Sequence, residues 1–572
     1  MNTVMLQFVM GTMLFALGAC APAAAEDIVF VHGHIYTGNR QSPWAEALAV
    51  KGTRIAAVGA NKDLLARYRA HSRIIDLKGQ TVIPGIIDSH IHTLWGAFAL
   101  HGFDLSTPER SIPPDQPGRL IEVIKAYAAA HPTDSVLFGR ADFSTVPPST
   151  PSHELLDRAV SDRPIVILNT SGHAYWLNAA ALAAAGIGDY PVADAEEEGG
   201  VIRDASGHPS GILLEASMEI AAREILAKVP EQEQLAILRA AIHYLNGYGI
   251  TGVVNATGNL REIRLFAALR DRGELTVRTR TAFGALGKRH HLTPEFLESL
   301  DLARRTYHDE WVSANLVKFF TDGSTGLIPP LFYEPHEYAR LVAELDRRGY
   351  QIMTHTQRDD GLHLILDSYE QAERANGARD RRLRIEHVFL AYPDDLPRFK
   401  QLDIVAAMQP SFCCTDNGSF NYKPEALPTD QWNTLELSGA TLAFGSDWPC
   451  TSPPDPFAGI AEATTRTVWR SRDLAAVAGG PFDGAAQAGA VATGEVFLPA
   501  ERISVEQAVD AYTRGSAYAA FFDGWAGTLE SGKLADLAVL SQDIFSVPHQ
   551  QIARTHVVMT MVGGKVVFSA AK

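Results

Sequence analysis

Apolar and polar positions alternate differently along the two ends and the centre of this chain. Near the N-terminus, "DIVFVHGHIYTG", "ALAVKGTRIAAVG" and "SRIIDLKGQTVIPG" alternate with a period of two and break at Gly or Asn. That period belongs to strands, whose successive side chains leave on opposite faces. The C-terminus repeats the texture in "ADLAVLSQDI" and "THVVMTMVGGKVVFS". Two β-rich ends around a long centre predict one β-sandwich built from both termini, residues 26–82 and 515–572.

The centre, residues 83–514, holds strand-like apolar runs instead: "TVIPGIIDSHIH", "ITGVVNAT", "VRTRTAFG", "ANLVKFFTDG", "YQIMTHTQ", "LRIEHVFLA", "DIVAAMQPS" and "TLAFGSDWP". Amphipathic stretches such as "PHEYARLVAELDRRG" and "LHLILDSYEQAERANG" separate several of them. Eight buried strands alternating with helices predict an α/β fold, a (β/α)8 TIM-like barrel with its active site at the strand C-terminal ends. Between the first two strands, at about residues 100–240, lie "TVPPSTP", "RPIVILNTSGHAYWLNAAAL" and "GGVIRDASGHPSGILLEAS". This is too much chain for one loop and predicts an insertion that roofs the barrel mouth.

The leader changes the picture of location. Residues 1–25 carry no charge, and their apolar stretch has the length of a signal-peptide core. "LGAC" resembles a bacterial lipobox, which would lipidate Cys20, while "PAAAED" offers an ordinary cleavage site. Neither pattern is complete, because no Lys or Arg precedes the apolar run, and an uncleaved anchor is the alternative. The expectation is an exported protein, periplasmic or anchored to the outer membrane as a lipoprotein. Over 572 residues the net charge is −16, which argues against a nucleic-acid partner and against a polybasic membrane patch. Cys413, Cys414 and Cys450 have neither disulfide-framework nor zinc spacing, and buried free thiols are expected.

Candidate chemistry gathers at the predicted strand ends. His90 and His92 in "PGIIDSHIHT" share one side of a strand. Alone, such a pair is an ordinary strand feature. Lys318 in "VKFFTDGS", His355 in "MTHTQ", His387 in "RIEHV" and Asp447 in "FGSDWP" end four further apolar runs in the same way. Packing does not ask for that, whereas imidazole and carboxylate together suit a divalent ion of the zinc type.

In this order the motifs resemble the amidohydrolase superfamily, specifically amidohydrolase family 3 of the YtcJ-like kind. The resemblance rests on "VIPGIIDSHIH", "RPIVILNTSGHAYWLNAAALAAAGI", "GGVIRDASGHPSGILLEA", "VKFFTDGS", "GSDWP", "AVDAYTRGSAYAA" and "GTLESGKLADLAVL", and it covers nearly everything after residue 26. It implies one or two ions, Zn by preference. His90 and His92 would hold the more buried ion with Asp447, and His355 and His387 the second. Lys318 would bridge them if carboxylated, or stand as a plain structural lysine beside a single ion. Asp447 would also take the proton of the attacking water and return it to the leaving nitrogen. The implied activity is hydrolysis of an amide or other C–N bond in a small-molecule substrate. Ester, lactone or phosphoester hydrolysis, and a non-catalytic metal-containing binding protein, are the alternatives.

Other positions divide between chemistry and packing. "HTQRDD" stands where the family has "HAIGD", so His355 matches but its neighbours do not. His173, Tyr175 and Trp176 in "SGHAYWLN" either pack the insertion onto the barrel or form a lid, with His173 bonding the reacting carbonyl. Glu215 is a further ligand, a bridging carboxylate or a helix start. Trp176, Glu215 and Trp448 are the expected substrate contacts, and the aromatic and Cys residues around them hint at an apolar or aromatic ligand. Glu386 is expected to point away from His387 into barrel–helix packing. Asp322 would orient Lys318 or cap a helix. His32, His34, His71 and the pair at 290–291 are expected away from the site.

Overall fold

The computed structural model describes residues 27–105, 116–141, 143, 152–169, 172–187, 200–285, 292–323, 331–413, 429–450, 453–467, 469–470, 491–492 and 496–570. The leader with Cys20, the "TVPPSTP" stretch, His290, His291 and Cys414 lie outside the described residues. Among the described residues no helix is long and apolar enough to cross a membrane.

The expected barrel is present. Eight strands lie side by side in chain order: Ile86–Ile91, Ile250–Gly258, Arg278–Gly284, Val312–Phe320, Gln351–Thr356, Arg384–His387, Val405–Met408 and Thr441–Phe444. All seven pairings between neighbours are parallel, and helices cover the outside. The seam between the eighth strand and the first is closed at the mouth by single bonds. Asp447 N donates to His90 O at 2.7 Å, and His92 N donates to Trp448 O at 2.9 Å. Asp88 Oδ1 accepts from the backbone N of both Ser446 and His90.

The first apolar run divides where the sequence suggests continuity. Thr81–Pro84 belongs to a six-stranded sheet with the C-terminal strands, and only Ile86–Ile91 enters the barrel. Gly85 is the joint. A Cβ there would sit 2.2 Å from Thr251 Oγ1, so only glycine lets the chain pass the second barrel strand. That six-stranded sheet and a four-stranded N-terminal sheet share one apolar core, in which Ile28, Phe30 and Leu48 meet Leu537, Val539 and Met561.

The C-terminal part of the chain does two jobs. Residues from 529 onward supply the sandwich. Ala517, Ala520, Phe522 and Ala526, expected with the sandwich, instead pack on Ile87, Val254, Leu316 and Met353 and plug the barrel's closed end. The insertion forms its own six-stranded sheet, from Phe103–Leu105 to Pro209–Leu214, around a separate core.

Two buried polar clusters lock these parts together. Arg278 at the start of the third barrel strand donates from Nε and Nη2 to Asp536 at 2.6 and 3.0 Å, and both side chains are buried. Asp536 Oδ1 also accepts from Gly563 N, so one carboxylate joins barrel and sandwich. Near the mouth, Asn255 Oδ1 accepts from Thr93 N and Asn255 Nδ2 donates to Glu262. This fixes the helix that follows His92. Burial pushes the Glu262 carboxyl up to about 8.

Removing one member of a buried pair leaves an uncompensated charge. Asp536→Ala is expected to lower unfolding free energy by about 3–5 kcal/mol, measured by denaturant melts. For Glu262 the folded carboxyl binds its proton more tightly than the unfolded one, so its ionisation costs stability as pH rises from 4.5 through about 8. Glu262→Gln should flatten that part of the stability–pH curve. An unchanged slope would refute the assignment.

Candidate metal centre

Each residue at the mouth is placed by a different strand. His90 lies on the first barrel strand and His92 one residue beyond its end, with ring centroids 5.6 Å apart. Asp447 follows the eighth strand with φ +56°, an unfavourable backbone region for a non-glycine residue that turns its carboxylate inward. Its Oδ1 lies 3.1 Å from His92 Nε2 and 3.4 Å from His90 Nε2. Donor atoms of these three buried residues lie within 4.8 Å of one another.

The remaining predicted ligands join this group. Lys318 on the fourth strand is fully buried, and its Nζ donates to His90 Nε2 at 3.4 Å. The His387 ring is 5.0 Å from that of His90 and 4.5 Å from that of His355. His387 also carries a positive φ, 76°. Regular alternation would put Glu386 and His387 on opposite faces, but this backbone turn brings both to the barrel interior. The expectation that Glu386 supports helix packing is therefore corrected. His90 Nδ1 donates to Glu386 Oε2 at 2.5 Å, and Arg384 donates to both Glu386 oxygens at 2.9 Å.

The electrostatics favour lone pairs over protons. Burial, with Lys318 and the other imidazoles close by, holds His90 well below the ordinary histidine range. Burial and His387 do the same to His355, and burial takes His387 down to about 4. Burial alone would raise Asp447, but the hydrogen bond and charge of His92 outweigh it and hold its carboxyl below the usual range. The lowered His90, His355 and His387 imidazoles beside an ionised carboxylate suit a divalent cation. Nδ1 of His90 and of His387 are both engaged, by Glu386 and by Gln409 Oε1 at 2.7 Å, which aims each Nε2 into the site. His355 Nε2 is buried without a hydrogen-bond partner among the described residues, 3.4 Å from Asp322 Oδ1. An ion at that lone pair accounts for it, so the residues fit the group.

The roof contributes unequally. His173 Nδ1 donates to Glu215 Oε2 at 3.0 Å, and its ring stands 6.1 Å from that of His355. Burial lowers the His173 pKa, but Glu215 overcomes this and raises it. Glu215 has φ +51° at the start of the helix Ala216–Leu226. Trp176 lies in the insertion's apolar core, with its indole N–H on Ser152 O. Its strand neighbour Tyr175 takes the other face and meets Trp95, which stacks on His92 at 5.0 Å. Trp448 also lies in packing: it fills the space left by Gly96, where a Cβ would fall 2.1 Å from its ring.

Asp322 caps the chain after the fifth strand, accepting from Thr356 Oγ1 and from the backbone of Gln357 and Arg358. Cys413 is disulfide-bonded, contrary to the free-thiol expectation. Cys450 is free. His32 and His34 lie in the sandwich, on Asp76 and Trp44 respectively, and His71 is exposed. Sequence reasoning missed Gln409, although it follows the seventh apolar run as the candidate ligands end theirs, and Trp95, which carries no motif signal.

A barrel whose mouth gathers four histidines, a lysine and an aspartate has the form of a metal-dependent hydrolase. The amidohydrolase family model matches residues 73–568, and the chain belongs to that family. It is 28% identical over 571 residues to the protein LONG AFTER FAR-RED 3 of Arabidopsis thaliana, covering 94% of this chain and 91% of that one. It is 24% identical over 560 residues to an N-substituted formamide deformylase of Arthrobacter pascens, covering 94% and 97%. With the putative amidohydrolase YtcJ of Bacillus subtilis it shares 26% over 576 residues, covering 94% and 98%. An uncharacterized metal-dependent hydrolase from Pyrococcus furiosus has the same fold, with TM-score 0.68 at 22% identity over 91% of this chain and all of that one.

Because Glu386 orients His90, Glu386→Gln should weaken metal affinity about 10–100-fold while leaving the fold intact. Competition with a chromophoric chelator measures this. Unchanged affinity would mean that Glu386 serves only packing.

Proposed function

We propose that the protein hydrolyses an amide or related C–N bond of a small molecule. The observation that carries this reading is the convergence of Asp447 Oδ1 on Nε2 of both His90 and His92, beneath the His173–Glu215 pair. His90, His92 and Asp447 would hold one divalent ion, zinc by preference. His355 and His387 would hold a second, with Lys318 shared between them when carboxylated. When bound, the metal lowers the pKa of water toward about 7 and polarises the scissile carbonyl.

The chain's own residues supply the rest. Asp447 is ionised and within reach of the attacking water, so it takes the proton as the O–C bond forms. It then delivers that proton to the nitrogen as the C–N bond breaks, leaving a carboxylic acid and an amine. Glu215 occupies His173 Nδ1 and favours its charged form, so His173 Nε2–H is a donor for the substrate oxygen. Tyr175 and Trp95 form an aromatic wall beside His92. The formamide-cleaving relative supports a C–N bond as the one attacked.

Purified protein is expected to carry one to two equivalents of divalent metal, and chelation followed by metal addition should abolish and restore hydrolysis of a panel of N-acyl and N-formyl amines. Asp447→Ala should lower kcat about 10²–10⁴-fold with little change in melting temperature. Full turnover at less than about a tenth of an equivalent of metal would overturn the reading.

A further inference from the structure

A cavity of about 630 Å³ opens at the other end of the barrel. Its lining includes Arg280, Trp311, Asn315, Phe521, Phe522 and Trp525. Asn315 precedes Lys318 by three residues on the fourth strand, about 10 Å further from the mouth. This cavity therefore does not belong to the metal centre.

Arg280 gives it chemical character. The side chain comes from the third barrel strand and is only 6% exposed. Nε donates to Gln351 Oε1 at 3.1 Å and Nη2 to Asn315 O at 3.4 Å, both neutral acceptors. Nη1 has no hydrogen-bond partner among the described residues, and no carboxylate there pairs with the guanidinium. The two acids in the lining are engaged elsewhere, Glu310 by Arg54 and Asp309 by Arg270. Arg304 is likewise taken by Asp301 and by Arg348 O. Burial, with Arg384 and Arg382 nearby, lowers Arg280 to about 9, a mark of a cation lacking an anion. Around it the walls are aromatic. Phe521 lies under the guanidinium at 5.1 Å, and Trp311 and Trp525 are held by Arg278 at 4.4 and 5.5 Å.

A buried cation survives by finding an anion, and a volume of several hundred Å³ lined by rings and one charged donor suits a small ligand. We propose that this cavity is a second ligand site, for a small carboxylate carrying an aromatic ring. The carboxylate would receive Arg280 Nη1, and the ring would lie against Trp311, Phe522 and Trp525. The site faces away from the catalytic mouth, so its occupant is not the substrate. Gln351 links Arg280 to the strand that carries His355, so the cavity and the candidate metal centre share a barrel strand.

Calorimetric titration of the metal-loaded full chain with benzoate, and with benzamide as the neutral isostere, tests this. Benzoate should bind at one site at least about tenfold more tightly than benzamide, the difference one charged hydrogen bond supplies. Arg280→Met should erase that preference. Ser313 also lines the cavity, and Ser313→Trp, which fills it and leaves Arg280 in place, should abolish binding while turnover is retained. Absence of benzoate binding, or equal affinity for both probes, would overturn the proposal. So would binding that persists in Ser313→Trp, because it would assign benzoate to the metal centre. Should Arg280→Met fail to fold in a thermal melt, the isostere comparison and Ser313→Trp decide.

Discussion

The Glu386 carboxylate is completely buried, and a buried carboxylate persists only where cations and donors surround it. Arg384 answers with two bonds from below, and its Nη2 also donates to Ser89 O on the first barrel strand. His90 answers from above through Nδ1. The direction of His90 Nε2 follows from this chain of contacts. Lys318 and Asp447 both stand 3.4 Å from that nitrogen, and His387 packs against the same ring. The metal centre is thus built upward from an ion pair inside the barrel.

Some of the backbone strain among the described residues falls at this site. Asp447, His387 and Glu215 all have positive φ, which non-glycine residues rarely adopt and which costs of order 1–3 kcal/mol each. Each departure delivers a side chain that regular strand geometry would aim elsewhere. The surrounding fold holds these conformations through barrel closure at Asp88, Ser446 and Trp448 and through the insertion's own core.

Much of this organisation was legible from the amino-acid order. Eight apolar runs with polar ends specified the barrel, because strands covered on both faces need continuous apolar sequence. The residues that end those runs, His90, His92, Lys318, His355, His387 and Asp447, lie together at the mouth. What period-two reasoning could not decide was which of two adjacent side chains faces the site. At Glu386 and His387 the backbone turn sends both inward, and at Tyr175 and Trp176 the insertion's core claims the tryptophan.

The remaining decisions were made between segments far apart in the chain. Glu386 meets His90 across 296 positions, and Arg278 meets Asp536 across 258. No local pattern encodes such pairings, because each partner alone reads as an ordinary charged residue in a strand or loop. The split at Gly85 depends on the position of Thr251, and the plug at Ala517–Phe522 on the barrel-interior side chains of Ile87, Val254, Leu316 and Met353. Local periodicity, fixed by backbone geometry, determined the elements and the polar residues that end them. Burial and charge compensation, which exist only once the chain has folded, decided which of those residues became a site.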